Sequence, residues 1–107
     1  MDESRFNQLA DEMLTRIEAA LADCDADFDY ELKPGGVIEL EFSDGGRIII
    51  NRHTAAREIW VAARSGGFHF KPEGDIWVNT RDGPQLIQVL EQCMSEQTGA
   101  RVDLGLL

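Results

Sequence analysis

Residues 46–70 read GRIIINRHTAAREIWVAARSGGFHF. Ile48 and Ile50, then Ile59 and Val61, then Phe68 and Phe70 place apolar side chains at every second position, the period of a half-buried strand. SGG at 65–67 turns a chain within a few residues, and RHTAAR at 52–57 is a somewhat looser link. Neither is long enough for a crossover helix. Strands over 47–52, 58–63 and 67–70 are therefore predicted to be antiparallel neighbours.

The same period continues on both sides. Upstream, strands are expected over 28–33 and 37–42, joined by PGG at 34–36 and DGG at 44–46; downstream, EGD at 73–75 leads into a strand over 75–79. Ahead of the strands, Phe6, Leu9, Ala10, Met13, Ile17, Ala20 and Leu21 recur at helical spacing. Asp2 or Ser4 can cap this helix, which the pattern ends near residues 22–25. Behind the strands, Leu86, Val89, Leu90, Cys93 and Met94 make a second helical face, with Pro84 expected in its first turn and Gly99 as its stop. The tail over 101–107 offers Val102, Leu104 and Leu106 to the same core. Two helices, each apolar on one side, bracketing antiparallel strands predict an α+β fold with one domain over 1–107. It is a two-layer α/β sandwich, both helices on one face of the antiparallel sheet and the other face open.

Alternation then says which side chains look outward. If Ile59 and Val61 face the helices, Trp60 points away. The same parity turns Trp77, Asn51, His53 and His69 outward and leaves Glu39 and Glu41 exposed. Tryptophan is enriched in binding hot spots, and an open mixed face suits protein docking at Trp60 and Asn51. Two histidines are too few for a nitrogen-rich metal site. No glycine pair leads into a helix as a phosphate loop would, and Ser, His and Asp form no recognisable nucleophile system. Cys24 and Cys93 form no CxxC and read as core residues. There is no strong catalytic signal.

Charge is the other marker. Twenty acids against ten bases give a net −10, and the first 31 residues hold ten of those acids with only Arg5 and Arg16. This end repels nucleic acid and anionic membranes and favours cations and basic protein surfaces. No apolar run approaches the roughly 20 residues that span a membrane. MDESRF is too acidic and polar for a secretory or organellar leader, so the expected compartment is the cytoplasm. Within the acidic end, DCDADFDYE at 23–31 sets Asp23, Asp25, Asp27, Asp29 and Glu31 on alternate positions. Where this segment is extended, the five share one face about 7 Å apart, each adjacent pair repelling by about 0.6 kcal/mol even in water. Cys24, Ala26, Phe28 and Tyr30 then face the other way. Asp11 and Glu18 lie nearly above one another on the polar side of the first helix. Carboxylates alone suit hard cations, among them ferric iron, calcium, magnesium and manganese, held weakly and at several points.

The stretch at 46–70 also resembles the signature of the frataxins: a strand ending Ile-Asn-Arg, a short link, Ile-Trp-Val, then Ser-Gly-Gly and an aromatic pair. FxxLADxxLxxIE in the first helix, GGVxxxxF at 35–42, GDxW at 74–77 and VLEQ at 89–92 resemble bacterial frataxins in the same order along nearly the whole chain. The resemblance implies a helix–sheet–helix sandwich that binds iron (Fe2+ or Fe3+) on an acidic ridge and acts in iron–sulfur cluster assembly. It implies partners in the cysteine desulfurase and the scaffold protein, with regulation of assembly that depends on iron. The ridge carries over to Asp11, Glu18, Asp23, Asp25, Asp27, Asp29 and Glu31, with Glu3 and Glu12 outlying. The partner contacts carry over to Asn51 and Trp60, and Arg52 and His69 join them as contact candidates. Ala19 and Ala22 stand where relatives often carry acids, His53 replaces a common Gln, and Thr54-Ala55 lacks the usual proline. A monomer is expected, with an iron-dependent oligomer as the alternative state. Two other functions are weighed: an iron donor or store, and a ferroxidase acting on Fe2+ at the ridge. The second lacks the Glu-x-x-His motifs of dinuclear oxidase bundles.

Overall fold

A computed structural model describes residues 1–106. Helix α1 (Glu3–Asp23) is followed by six strands, β1 (Phe28–Lys33), β2 (Val37–Phe42), β3 (Arg47–His53), β4 (Glu58–Ala63), β5 (Gly66–Glu73) and β6 (Ile76–Asn79), and then by α2 (Leu86–Thr98). The strands lie in the order β1-β2-β3-β4-β5-β6 and every neighbouring pair is antiparallel. A single 3-10 turn, Thr54–Ala56, occupies the link between β3 and β4. The α+β sandwich expected from the sequence is the fold.

Each helix begins and ends for local reasons. Asp2 is the N-cap of α1, its carboxylate accepting the Arg5 N–H at 2.7 Å, and the extended Cys24 stops the helix. In α2 the N-cap is Gln85, whose N–H donates to the Gln88 side chain at 3.2 Å. Pro84 therefore stands just before the cap, not in the first turn. Gly99 ends α2 with φ +75°, a conformation that costs an L side chain energy and glycine none.

The core lies between the sheet and the two helices. Phe6, Ala10, Met13, Ile17 and Leu21 of α1 and Leu86, Leu90, Cys93 and Met94 of α2 bury against Ile38, Leu40, Ile48, Ile50, Ile59, Val61 and Phe70. Val102 and Leu104 close one end and Leu106 packs at the margin; Leu107, the last residue of the predicted tail, lies outside the described residues. The turn between β2 and β3 is tied to α2. Asp44 accepts the Gly46 N–H at 2.9 Å and hydrogen bonds from Gln97 at 2.6 and 2.8 Å. A Cβ on Gly46 would collide with the Gln97 amide, so any larger residue there pushes the Gln97 side chain off Asp44.

One outward assignment is overturned. Trp77 is 4% exposed and meets Phe6 edge-on, ring centroids 5.9 Å apart, while Ile76 is 42% exposed. The pairing register decides this. Phe70 lies opposite Asn79 and Pro72 opposite Trp77, so Trp77 follows the inward parity of Phe70. The tryptophan takes the larger apolar burial and isoleucine is left at the edge.

Candidate functional site

The acidic end is built from three unlike pieces. Asp11 and Glu18 project from α1 beside a groove that Leu32, Lys33, Val37 and Arg52 also line. Asp23 is the last residue of α1, and Asp25 and Asp27 lie in the connection to β1. Only Asp29 and Glu31 belong to a strand. Exposure nonetheless alternates as far as Asp29: Asp23, Asp25, Asp27 and Asp29 are exposed, and Cys24, Ala26 and Phe28 between them are partly buried against the core, whereas Tyr30, expected to face inward with them, is exposed on the edge strand. The connection is not straight: it bends at Ala26 and Asp27, where the Phe28 N–H donates to the Ala26 carbonyl at 3.1 Å, and apolar contact at every second residue keeps the acids outward through the bend.

Two of these acids turn onto the open sheet face. Asp29 is paired with Glu41 and Glu31 with Glu39 across β1 and β2, and the four carboxylates gather in one shallow depression with Tyr30. Opposed carboxylates repel, and two cations offset this, Lys33 diagonal to Glu39 and Arg47 directly opposite Glu41. Lys33 Nζ lies 2.6 Å from Glu39, and Arg47 lies 3.3 Å from Glu39 and 3.5 Å from Glu41. Glu39, expected to be exposed, is thereby covered to 8% exposure. The Lys33 hydrogen bond holds its carboxyl below the usual range, and the same bond raises the lysine. Asp44 is also lowered, first by the Gly46 N–H.

Arg52 departs from its predicted role. Asn51 and His53 point outward, so Arg52 between them points to the helix side, where its guanidinium pairs with Asp11 and passes over Gly36. It braces α1 to β3 and is not part of the open face. The same pair partly neutralises Asp11. The acids without such a partner are Asp23, Asp25, Asp27, Asp29, Glu31 and Glu18; among the described residues no Arg, Lys or His lies within ion-pair distance of them.

Across the sheet from these acids lies an aromatic row. Asn51, Trp60 and His69 stand side by side on β3, β4 and β5, so three of the predicted contact residues are brought together. The Trp60 N–H donates to Glu58 at 2.7 Å. Trp60 is half-buried, and the imidazoles of His53 and His69 stack on it. Glu58 was not among the sequence candidates. Its signal was available in principle, because parity puts residues 58 and 60 on one face, but its hydrogen bond depends on rotamers.

The donors fit a hard cation in kind, since all are carboxylate oxygens. They do not converge: among the described residues no group of three or more His, Cys, Asp or Glu is placed to enclose a metal ion. An open edge of this sort attracts cations by its summed field, not by a closed coordination shell.

Residues 1–100 match the family model described as a frataxin-like domain. The chain belongs to the frataxin family. It is 55% identical over 104 residues to a protein of Dechloromonas aromatica named iron-sulfur cluster assembly protein CyaY, covering 97% of this chain and 99% of that one. The protein of the same name from Vibrio cholerae is 45% identical over 103 residues, covering 96% and 98%. Among solved structures, the frataxin of Psychromonas ingrahamii superposes with a TM-score of 0.87 at 30% identity, covering 97% of this chain and 98% of that one. A trimeric frataxin of the yeast Saccharomyces cerevisiae, complexed with ferrous iron, gives 0.65 at 26% identity, covering 92% and 88%. The frataxin sandwich thus accounts for both helices and all six strands.

Proposed function

We propose that this chain acts in iron–sulfur cluster assembly as an iron-responsive regulator in the cytoplasm, docking as a monomer on the cysteine desulfurase and its scaffold protein. The relatives named as iron–sulfur cluster assembly proteins support the pathway. Iron is the cation assigned to Asp11, Glu18, Asp23, Asp25, Asp27, Asp29 and Glu31, in keeping with the yeast relative complexed with ferrous iron. Other hard divalent cations compete for the same oxygens.

The observation that carries the reading is the shared face. Asp29, Glu31 and Glu41 occupy one side of the sheet surface on which Asn51, Trp60 and His69 stand. A basic partner covering that surface meets carboxylates at one end and a tryptophan at the other, which gives electrostatic steering and an anchor together. Cations bound at the acidic end then alter the charge presented to the partner. A regulator needs that coupling, and a ferroxidase would instead need a convergent ligand set. An iron donor remains the second reading, favoured by how openly the carboxylates face solvent.

The test is a pair of NMR titrations. A diamagnetic trivalent ion is expected to perturb amides over 23–31 first, and the purified desulfurase–scaffold complex those around Asn51 and Trp60. Cation shifts centred on His53 and His69 would remove the ridge assignment, and partner shifts confined to α2 would remove the docking face.

A further inference from the structure

Trp60 is held on three sides. The His53 ring lies 3.9 Å from the indole at an interplanar angle of 11°, and the His69 ring 4.3 Å away at 8°. β3 and β5 flank β4, so the two imidazoles cover opposite faces of the indole. The indole N–H is occupied by Glu58 Oε1 at 2.7 Å, and the same oxygen lies 3.5 Å from His69 Nδ1. His53 is itself anchored, its Nδ1 accepting the Ala56 N–H at 3.3 Å at the start of the 3-10 turn.

This leaves little of Trp60 for a partner except a hydrocarbon edge. The faces of an indole carry the negative quadrupole that attracts cations and flat guanidinium groups; its edge does not. We propose that His53 and His69 are positioning residues, a clamp that presents Trp60 edge-outward to the partner. The matching partner group is then an aliphatic side chain packed on the benzo ring, and partner arginines and lysines go to the Asp29–Glu31–Glu41 end of the face. The inference rests on the docking reading above and adds to it the orientation of the anchor and the chemistry it accepts. Holding a bulky side chain before binding removes the cost of ordering it on contact.

The clamp is readable in the free protein. Ring protons of His53 and His69 should show upfield NMR shifts from the indole, lost in Trp60→Ala; ordinary shifts in the wild-type chain overturn the clamp whatever the partner does. Affinity for the purified desulfurase–scaffold complex is then measured for four variants with unfolding midpoints checked. His53→Ala and His69→Ala should each weaken binding by about two- to tenfold, the equivalent of freeing one immobilised side chain. His53→Phe and His69→Phe, flat rings that still stack, should restore most of it. Intermolecular NOEs from the benzo-ring protons should reach methyl groups. Wild-type or tighter binding by the alanine variants, with Trp60→Ala weakened, overturns the clamp alone. NOEs to an arginine or aromatic ring overturn the partner chemistry. Normal binding by Trp60→Ala overturns the docking reading, and with it the inference.

Discussion

Trp77→Ala and Trp60→Ala should behave as opposites, and the contrast tests how the two tryptophans are divided between core and surface. Trp77 is 4% exposed and packs edge-on against Phe6. Removing a large aromatic from such a site costs about 3–5 kcal/mol in transfer and cavity energy. A domain of this size is stabilised by about 5–15 kcal/mol, so the variant gives up a large share of its stability. At about 4–8 °C per kcal/mol, its melting midpoint should fall by at least 12 °C. Trp60 loses two ring stacks, each about 0.5–1.5 kcal/mol, and its half-exposed site rehydrates without leaving a sealed cavity, so about 1–3 kcal/mol is expected. Urea unfolding followed by circular dichroism measures both. In binding, the order reverses: Trp60→Ala should weaken the partner complex by 2 kcal/mol or more, roughly thirtyfold, with the loss mainly in the dissociation rate. Equal destabilisation by the two substitutions, or a larger loss for Trp60, would refute the register that places Trp77 inside.

Three further outcomes are expected. Neutralising Asp23, Asp25, Asp27 and Asp29 together to Asn should raise the low-salt melting midpoint and abolish most cation binding, each single change having a small effect; calorimetry and thermal melts check this. Glu39→Ala should lower the midpoint of chemical denaturation only slightly, because Lys33 loses its partner but stays solvent-accessible and rehydrates, while Arg47 keeps Glu41. Glu39 and Asp44 both have carboxyls lowered in the folded state, so their stabilisation is complete above the ordinary carboxylate range and is lost as pH falls through their folded values. Melts below about pH 4 should therefore decline less steeply in Glu39→Gln and Asp44→Asn than in the parent chain.

The strands at 28–33, 37–42 and 58–63 were legible to the residue, because period-two apolar contacts and glycine turns are properties of the local sequence. Trp77 was not. In IWVN the apolar residues run consecutively, so no alternation within the strand fixes its face; the partner strand does, through Pro72 opposite Trp77. The acidic row was legible as an alternation of exposure as far as Asp29, although its first three members lie outside any strand; beyond it the edge strand leaves Tyr30 exposed as well. What the sequence could not convey were contacts between distant segments. Arg52 reaches Asp11 across 41 positions, and Lys33 and Arg47 converge on Glu39 from two different strands. The stacking of His53, Trp60 and His69 likewise needs the register of three strands at once. Outward parity named all three residues and could not say that they touch.

Iron-dependent regulation is decided by cluster assembly measured with purified desulfurase and scaffold, with and without this chain and across a range of iron concentrations. The chain should change the assembly rate, the change should grow with iron, and it should be lost both in Trp60→Ala and in the Asp23, Asp25, Asp27, Asp29 quadruple Asn variant. An assembly rate indifferent to the chain at every iron concentration, or an effect untouched by both variants, would contradict that regulation.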